Sequence, residues 1–181
     1  MFLTEKEIKI LNFKSIGKNV LISNKASIYG AENMSIGNNV RIDDFCILSG
    51  KIEIGNHVHL SAYCALYGRF GIKIGNFCGL SPRCILFSAS DDFSGEYMIS
   101  PMVSDKYINL EKGQIELKNY VQIGVNSIIM PNIICYEGSV CGAFSLVKEN
   151  LKEWTISAGI PAKIIKKRSK NVKNLSKNII I

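Results

Sequence analysis

The chain has 181 residues, 47% of them apolar, and a formal net charge of +7. This length and apolar content suit one domain with a well-formed core and exclude an intrinsically disordered protein. No apolar run approaches the roughly 20 residues that span a bilayer, and the N-terminus MFLTEKEIKI has no secretory signal, so we expect a cytoplasmic protein without stable membrane insertion.

Residues 1–15 form a separate N-terminal cap. Thr4 is followed three residues later by Glu7, which is the spacing of a capping box, and Leu3 with Ile8 can form a hydrophobic staple. These signals predict a short helix. A repeat structure needs such a polar-faced cap over its open end.

From Ile16 onward the chain has a period of six residues. The stretch Ile36 to Leu86 reads IGNNVR IDDFCI LSGKIE IGNHVH LSAYCA LYGRFGIK IGNFCG LSPRCI L, and almost every block begins with Ile or Leu and has an apolar fifth residue. A period of six is neither the 3.6 of a helix nor the 2 of a half-buried strand. It is typical of a hexapeptide-repeat β-helix, in which three blocks make one triangular coil. The pattern predicts an all-β domain over residues 16–162.

The six cysteines follow this period. Cys46, Cys64, Cys78 and Cys84 take the fifth position of their blocks, and Cys135 and Cys141 the first. Both positions face inward, and no C-x-x-C occurs. We therefore expect reduced core cysteines that form neither disulfides nor a metal site and include no covalent nucleophile.

Residues 87–114, FSASDDFSGEYMISPMVSDKYINLEKGQ, interrupt the period. Unstructured segments of this length are uncommon inside a compact domain and are usually functional or disordered. The aromatic residues Phe93, Tyr97 and Tyr107 argue against disorder. We expect a functional loop extruded from the coil, after which the repeats resume at Leu117.

The last segment, residues 163–181, is predicted to be a basic tail or a short helix. Seven of the 22 basic side chains follow Trp154, where there is no acidic residue, and the other 15 are balanced by 15 acidic ones. Such a segment can attract anionic lipid, nucleic acid or a phosphorylated cofactor, or it can simply be solvated. Because it has no aromatic residue for base stacking, we expect no nucleic-acid partner.

The period, the extruded loop and the ending AGIPAK (residues 158–163) together resemble the hexapeptide-repeat acyltransferases, in particular the sugar acetyltransferases of surface-polysaccharide gene clusters. The resemblance extends over residues 16–168. It implies a left-handed parallel β-helix, a homotrimer, acetyl-CoA as acyl donor with no metal required, and a sugar or nucleotide sugar as acceptor.

The resemblance also implies where the cofactor binds. The residues that match the pantetheine site are Gly142, Ala143, Ser145, Gly159 and Ile160, and those placed to meet the phosphates are Lys163, Lys166 and Arg168. Cations at these positions suit the charge of CoA. The alternative is that the glycines only serve tight corners.

Acyl transfer to a hydroxyl needs a base. The chain has two histidines, and the period places His57 at a corner and His59 on an outer face, together with Ser61. Many relatives have a histidine at the root of the loop, where this chain has Asp91 and Asp92. Either His59 is the base with Asp91 or Asp92 orienting it, or the base is a loop carboxylate. A third possibility is that the acceptor is an amine, which needs less help once deprotonated. Either histidine can instead be a solvated surface residue. We expect Ser61 and Glu96 to contact the acceptor.

These observations predict an enzyme that transfers an acetyl group to a sugar hydroxyl, with backbone N–H groups stabilising the oxyanion. Transfer to the amino group of a nucleotide-linked sugar and a non-enzymatic docking module remain as alternatives. A zinc hydratase of the same fold needs three imidazoles, which two histidines do not supply.

Overall fold

The computed structural model describes residues 1–179. These residues form the left-handed parallel β-helix of about seven turns that the six-residue period predicts. Within them, no helix is both long and apolar enough to cross a membrane.

The strands and helices are short, as expected for coils built from six-residue blocks. In chain order they are α1 (Glu5–Ile10), β1 (Ser15–Ile16), β2 (Val20–Ile22), β3 (Ser27–Tyr29), β4 (Met34–Ile36), β5 (Val40–Ile42), β6 (Ile47–Ile54), β7 (His59–Leu60), β8 (Ala65–Ile74), β9 (Gly79–Leu80), β10 (Ile85–Phe87), β11 (Ala89–Asp91), β12 (Leu110–Lys112), β13 (Ile115–Leu117), β14 (Gln122–Ile123), β15 (Ile128–Ile129), β16 (Ile134–Cys135), β17 (Val140–Cys141), β18 (Leu146–Val147), β19 (Thr155–Gly159), β20 (Ala162–Lys167) and α2 (Val172–Ser176). Short 3₁₀ turns occur at Ala31–Asn33 and Asp105–Tyr107.

The coils stack into a prism with three faces, each a parallel sheet. Face A carries β1, β4, the second halves of β6 and β8, β13 and β16. Face B carries β2, β5, β7, β9, β14, β17 and β19. Face C carries β3, the first halves of β6 and β8, β10, β15 and β18.

The core is a column of inward Ile, Leu, Val and Cys side chains along the prism axis. All six cysteines are buried and unpaired, and their predicted place in the core is confirmed. Burial raises the pKa of the Cys78 thiol to about 12. An uncharged, buried thiol is a poor nucleophile.

The repeated Ile-Gly-Asn sequence has a physical reason. The Asn38 carboxamide oxygen accepts a hydrogen bond from the N–H of Lys18 in the preceding coil, at 2.7 Å, and Asn56 and Asn76 repeat this with the next N–H groups. A Cβ on Gly37 would lie 2.7 Å from the Asn56 side-chain oxygen. Glycine therefore leaves room for the asparagine that satisfies the backbone of each corner.

The short helix predicted at the N-terminus is present. Thr4 caps α1 in a complete capping box with Glu7, and Leu3 and Ile8 pack against the core. The corner placement of His57 is also confirmed. Its ring stacks on Phe77 at a centroid distance of 4.8 Å, in a column of corner side chains.

The loop that interrupts the repeats over residues 87–114 begins and ends in a two-stranded antiparallel ribbon formed by β11 and β12. Ala89 pairs with Lys112, and Asp91 pairs with Leu110. Phe87 still belongs to β10. The pairing satisfies backbone groups that an irregular loop would leave to water. The ribbon holds the loop root in a defined position beside face C.

The C-terminal segment differs from a simple tail or helix. The strand β20 pairs antiparallel with β19 before α2 begins, and this pairing covers the edge of the last coil. The helix is tied to the prism by a 2.8 Å hydrogen bond between the Ser176 and Tyr120 hydroxyls. The last two residues of the predicted tail lie outside the described residues.

Candidate active site

His59 lies on the outer surface of face B and is held by an aspartate. Its Nε2 atom is 2.7 Å from Oδ2 of Asp43, whose Oδ1 accepts a 2.7 Å hydrogen bond from Arg41 Nε. Burial by itself raises the pKa of Asp43, but the hydrogen bonds and charges of His59 and Arg41 together hold it below its usual value. An imidazole that donates from Nε2 keeps Nδ1 as an acceptor, so this pair can take up a proton.

Asp43 was not identified from the sequence, although a signal for it exists. A coil has about 18 residues, and Arg41 pairs with His59 in the register of face B. A side chain two residues after Arg41 is therefore within reach of the imidazole. The aspartate that orients His59 comes from the preceding coil, and Asp91 and Asp92 do not take this role.

Ser61 lies in a row of polar side chains at the corner between faces B and C. The residues before Asp43, Ser61 and Ser81 are paired with one another on successive coils, so the three side chains are stacked about 5 Å apart. Ser81 was not identified from the sequence. Its hydroxyl oxygen lies 3.4 Å from the side-chain amide nitrogen of Gln122, which donates to it.

The loop carboxylates have different surroundings. Asp92 accepts hydrogen bonds from the N–H of Ser94 at 2.7 Å and from the Asn109 amide at 3.0 Å, and the bonds from Ser94 and Asn109 lower its pKa. Asp92 therefore holds the loop in shape. Glu96 is exposed in the loop, whereas Asp91 is exposed at the end of β11 and lines a cleft.

The cleft has a volume of about 910 Å³ and lies between the ribbon and face C. Its wall on face C includes Tyr67 and Phe87, whose rings stack at 5.2 Å. Arg69 and Lys148 add positive charge, and among the described residues Asp91 is the only acidic side chain that lines it. The cleft can hold a mainly apolar group next to a carboxylate.

The sequence reasoning missed these aromatic walls. Tyr67 lies in LYGRFGIK, the block with two extra residues, and Phe87 is the first residue after the last repeat block. Both aromatic side chains occupy outward positions close to the start of the loop, and this pattern could have indicated an aromatic wall.

Within one chain the candidate residues form two groups. His59, Ser61 and Ser81 lie on or next to face B, whereas Asp91 follows the far end of β10. The structure does not bring His59 together with Asp91 or Asp92.

The predicted pantetheine residues come together on the last coils. The Ser145 side chain is buried, and its hydroxyl accepts from the N–H of Gly159 at 3.0 Å and donates to the Ala143 carbonyl at 3.3 Å. A Cβ on Gly142 would lie 2.8 Å from the Ala158 methyl. Ser145 thus joins two coils, and Gly142 allows them to approach.

The other predicted cofactor residues are near the surface. Ile160 is exposed, Lys163 pairs with Glu149 at 3.0 Å, and Lys166 is exposed on β20.

Arg168 binds its own chain. Its Nη1 donates to the Tyr120 carbonyl at 2.6 Å and the Gly138 carbonyl at 3.0 Å. Arg168 thus acts as a clasp that joins the C-terminal segment to the coils at Tyr120 and Gly138, which was not expected from the sequence. Its role as a phosphate ligand stays a prediction.

No group of three or more His, Cys, Asp or Glu side chains within residues 1–179 is arranged to hold a metal ion.

Residues 33–68 match the family model described as bacterial transferase hexapeptide (six repeats). The chain is 42% identical to the dTDP-4-amino-4,6-dideoxy-D-glucose acyltransferase of Escherichia coli, over 96% of this chain and 92% of that protein.

Solved structures of AntD, an N-acyltransferase from Bacillus cereus, are also similar. One, a serine variant in complex with dTDP-4-amino-4,6-dideoxyglucose and coenzyme A, has a TM-score of 0.96 and 48% identity and covers 97% of this chain and 95% of that chain. Another, with dTDP and 3-hydroxybutyryl-CoA, has the same TM-score and identity and covers 97% and 94%.

Proposed function

Because this chain belongs to the hexapeptide-repeat acyltransferases, we propose that it transfers an acyl group from acyl-CoA to the amino group of a dTDP-linked 4-amino-4,6-dideoxy sugar. The observation that carries the proposal is the 48% identity to an N-acyltransferase over 97% of the chain. A carboxylate beside an apolar cleft suits an amine acceptor.

This proposal corrects the preference for a sugar hydroxyl. The relatives with near-complete coverage act on an amino sugar, so the comparisons favour the amino-sugar alternative. The docking module has no support, since these relatives are acyltransferases. Surface-polysaccharide biosynthesis and a cytoplasmic location stay predictions.

Asp91 is the proposed proton acceptor. The neutral amine attacks the thioester carbonyl carbon, a C–N bond forms, and backbone N–H groups stabilise the oxyanion. The C–S bond then breaks, the CoA thiolate leaves, and the proton lost by the nitrogen passes to the carboxylate. Asp92 keeps the loop in place, and Glu96 remains a proposed acceptor contact.

Ser81 is proposed as a second residue of the reaction site. The AntD structures include variants at a serine and at an aspartate ten positions after it. In this chain Ser81 is the only serine with an aspartate ten positions later, and that aspartate is Asp91. A serine hydroxyl can donate to the thioester carbonyl or orient the amine.

The expected homotrimer explains how Ser81 and Asp91 can share one site. They lie beyond opposite ends of β10, so a neighbouring copy must bring the second residue. Face C also has an outward apolar row, formed by Ile47, Ala65, Ile85, Ile128 and Leu146. A row of this kind favours burial between copies.

A mixing experiment tests the shared site. Ser81→Ala and Asp91→Asn are each expected to be nearly inactive, but mixed trimers that contain both variants restore about one third of wild-type activity, because one of the three sites in such a trimer takes both intact residues from different copies. The variants are co-expressed with different tags, purified through both and assayed for thiol release. Activity no greater than that of the separate variants would place both residues in one chain's site.

A direct assay tests the function itself. The enzyme is expected to release thiol from acyl-CoA with dTDP-4-amino-4,6-dideoxyglucose and not with dTDP-glucose, which has no amine. Equal turnover with both sugars would return the proposal to a hydroxyl acceptor.

His59 is proposed to line the acceptor site with Ser61 and to hold a polar group of the nucleotide sugar. His59→Asn is expected to lower kcat/KM about tenfold, which corresponds to one charge-assisted hydrogen bond. Steady-state kinetics with the amino sugar measure this effect, and His57→Asn at the corner is the matched control. A loss of about 10³-fold in kcat would instead make His59 the base.

The last coils remain the proposed CoA site. Gly142, Ala143, Gly159 and Ile160 offer backbone groups and a shallow surface there, while Ser145 supports that surface from beneath. Lys163 and Lys166 are proposed to meet the phosphates.

A further inference from the structure

A glutamine on face B donates to the Ser81 hydroxyl. Gln122 is half-buried on β14, in the coil that follows Ser81, and its Nε2 atom lies 3.4 Å from Ser81 Oγ. Catalytic hydrogen bonds of this length commonly shorten once substrate is bound. The contact therefore places a carboxamide directly beside a residue of the proposed reaction site.

The fold keeps this carboxamide in place. In the register of face B, Gln122 pairs with Gly79, which comes two residues before Ser81. The Gln122 side chain lies across this glycine, since a Cβ built there would be 2.6 Å from its Oε1 and 3.4 Å from its Nε2. Gly79 thus leaves the room that the carboxamide needs to reach the serine.

The direction of this contact decides where the serine proton points. A hydroxyl group has one proton to donate and two lone pairs that accept. An amide nitrogen only donates, so Gln122 takes up one lone pair of Ser81, and the hydroxyl proton turns away from it. Within residues 1–179, no other side chain forms a hydrogen bond with the Ser81 hydroxyl. Its proton is therefore available to a substrate.

We infer that Gln122 is a positioning residue, which directs the Ser81 proton to the carbonyl oxygen of the thioester. The inference rests on the proposed function, because it takes Ser81 as part of the reaction site. Of the two roles open to Ser81, it selects donation to the developing oxyanion over orientation of the amine. A donor that is already aimed at this oxygen stabilises the charge that develops there in the transition state.

Gln122→Met provides the first test, because methionine has a similar length and no amide group. The value of kcat is expected to fall about tenfold, which corresponds to one hydrogen bond, while the KM values for acyl-CoA and for the amino sugar stay within about twofold. If Gln122 only packed over Gly79, methionine would preserve that packing. An unchanged kcat would therefore overturn the inference.

Gln122→Glu reverses the direction of the contact while keeping the shape of the side chain. A carboxylate only accepts, so it draws the Ser81 proton back to itself and adds negative charge beside the oxyanion. This variant is expected to lose about 100-fold in kcat and so to be slower than Gln122→Met. Activity equal to or above that of Gln122→Met would overturn the inference, because shape would then matter more than the direction of donation.

Gly79→Ala displaces the carboxamide without altering it. The value of kcat is expected to fall about fivefold, since the new methyl group occupies the space of the Gln122 side chain. Combined with Gln122→Met, it is expected to cause no further loss, because both changes remove the same contact. Losses that multiply in the double variant would show two independent effects and overturn the inference.

Gln114 offers a matched control, since it is a second glutamine packed against a glycine. A Cβ on Gly71 would lie 3.4 Å from Gln114 Cγ, and Gln114 is exposed just before β13, on face A. Gln114→Met and Gln114→Glu are expected to keep wild-type kcat. Melting curves by circular dichroism show that each variant is folded. If Gly79→Ala is not, the two Gln122 variants decide the question.

The outcomes separate the inference from the proposed function. All variants are assayed for thiol release with dTDP-4-amino-4,6-dideoxyglucose and either acetyl-CoA or butyryl-CoA, whichever the wild-type enzyme turns over faster. Wild-type turnover by the Gln122 variants, or by Ser81→Ala, overturns the inference and leaves acyl transfer to the amine standing. Release of no thiol by the wild-type enzyme with this acceptor overturns the proposed function itself.

Discussion

Asp91→Asn is expected to lower kcat by about 10²–10⁴ while leaving the protein folded, since an amide of the same shape cannot accept the proton of the attacking amine. Asp91 is exposed at the end of β11, and its substitution leaves the core intact. The loss is measured as thiol release with saturating acyl-CoA and amino sugar. Loss in kcat, with little change in KM, identifies an interaction made in the transition state.

Asp105→Asn is the control for this experiment. Asp105 is another exposed carboxylate of the same loop and does not line the cleft, so this variant is expected to keep wild-type kcat. Turnover of Asp91→Asn within threefold of wild type would remove Asp91 as the proton acceptor and favour the His59–Asp43 pair.

Trp154→Ala is expected to lower the free energy of unfolding by about 3–5 kcal/mol, the usual loss for truncating a buried aromatic side chain. Trp154 is 6% exposed, and its ring lies 6.1 Å from that of Tyr120. Lys170 and Lys173 lie over the ring at 5.7 Å, and the Trp154 carbonyl accepts from the N–H of Arg168 at 2.8 Å. The residue fastens the C-terminal segment to the last coils.

Thermal and urea unfolding followed by circular dichroism measure the loss, which corresponds to a fall in Tm of roughly 10 °C for a chain of this size. Trp154→Phe keeps an aromatic ring and is expected to recover more than half of the stability. Because the proposed CoA site lies on the same coils, Trp154→Ala is also expected to raise the KM for acyl-CoA. A loss under about 1 kcal/mol would show that the segment is held by other contacts.

Most of the fold was predictable because it repeats. Inward apolar side chains at fixed positions of each six-residue block specify the coil. The same period predicts that the cysteines lie in the core and that His59 lies on an outer face, and the structure confirms both placements. The capping box of Thr4 with Glu7 was equally readable, since its partners are three residues apart. The family and the acyltransferase activity were expected from the resemblance that the period, the loop and the AGIPAK ending carry.

The site was predictable only in part. Its residue types and the loop were identified, but not the Asp43 partner of His59, the Tyr67 and Phe87 wall, or the clasp formed by Arg168. Each of these contacts joins residues on different coils or elements. The choice between hydroxyl and amine acceptor was also out of reach, because loop carboxylates can bind either.

The amino-acid sequence by itself determined the coil, the buried cysteines and the capped end, since these depend on interactions between neighbouring residues or on a strict local period. The tertiary structure alone decided which polar groups meet. Stacking brings Asp43 to His59 across one coil, and ribbon pairing places Leu110 beside Asp91 across 19 residues of chain. Such contacts depend on register between distant segments, and a period of six specifies register for the repeats but not for the segments that interrupt them.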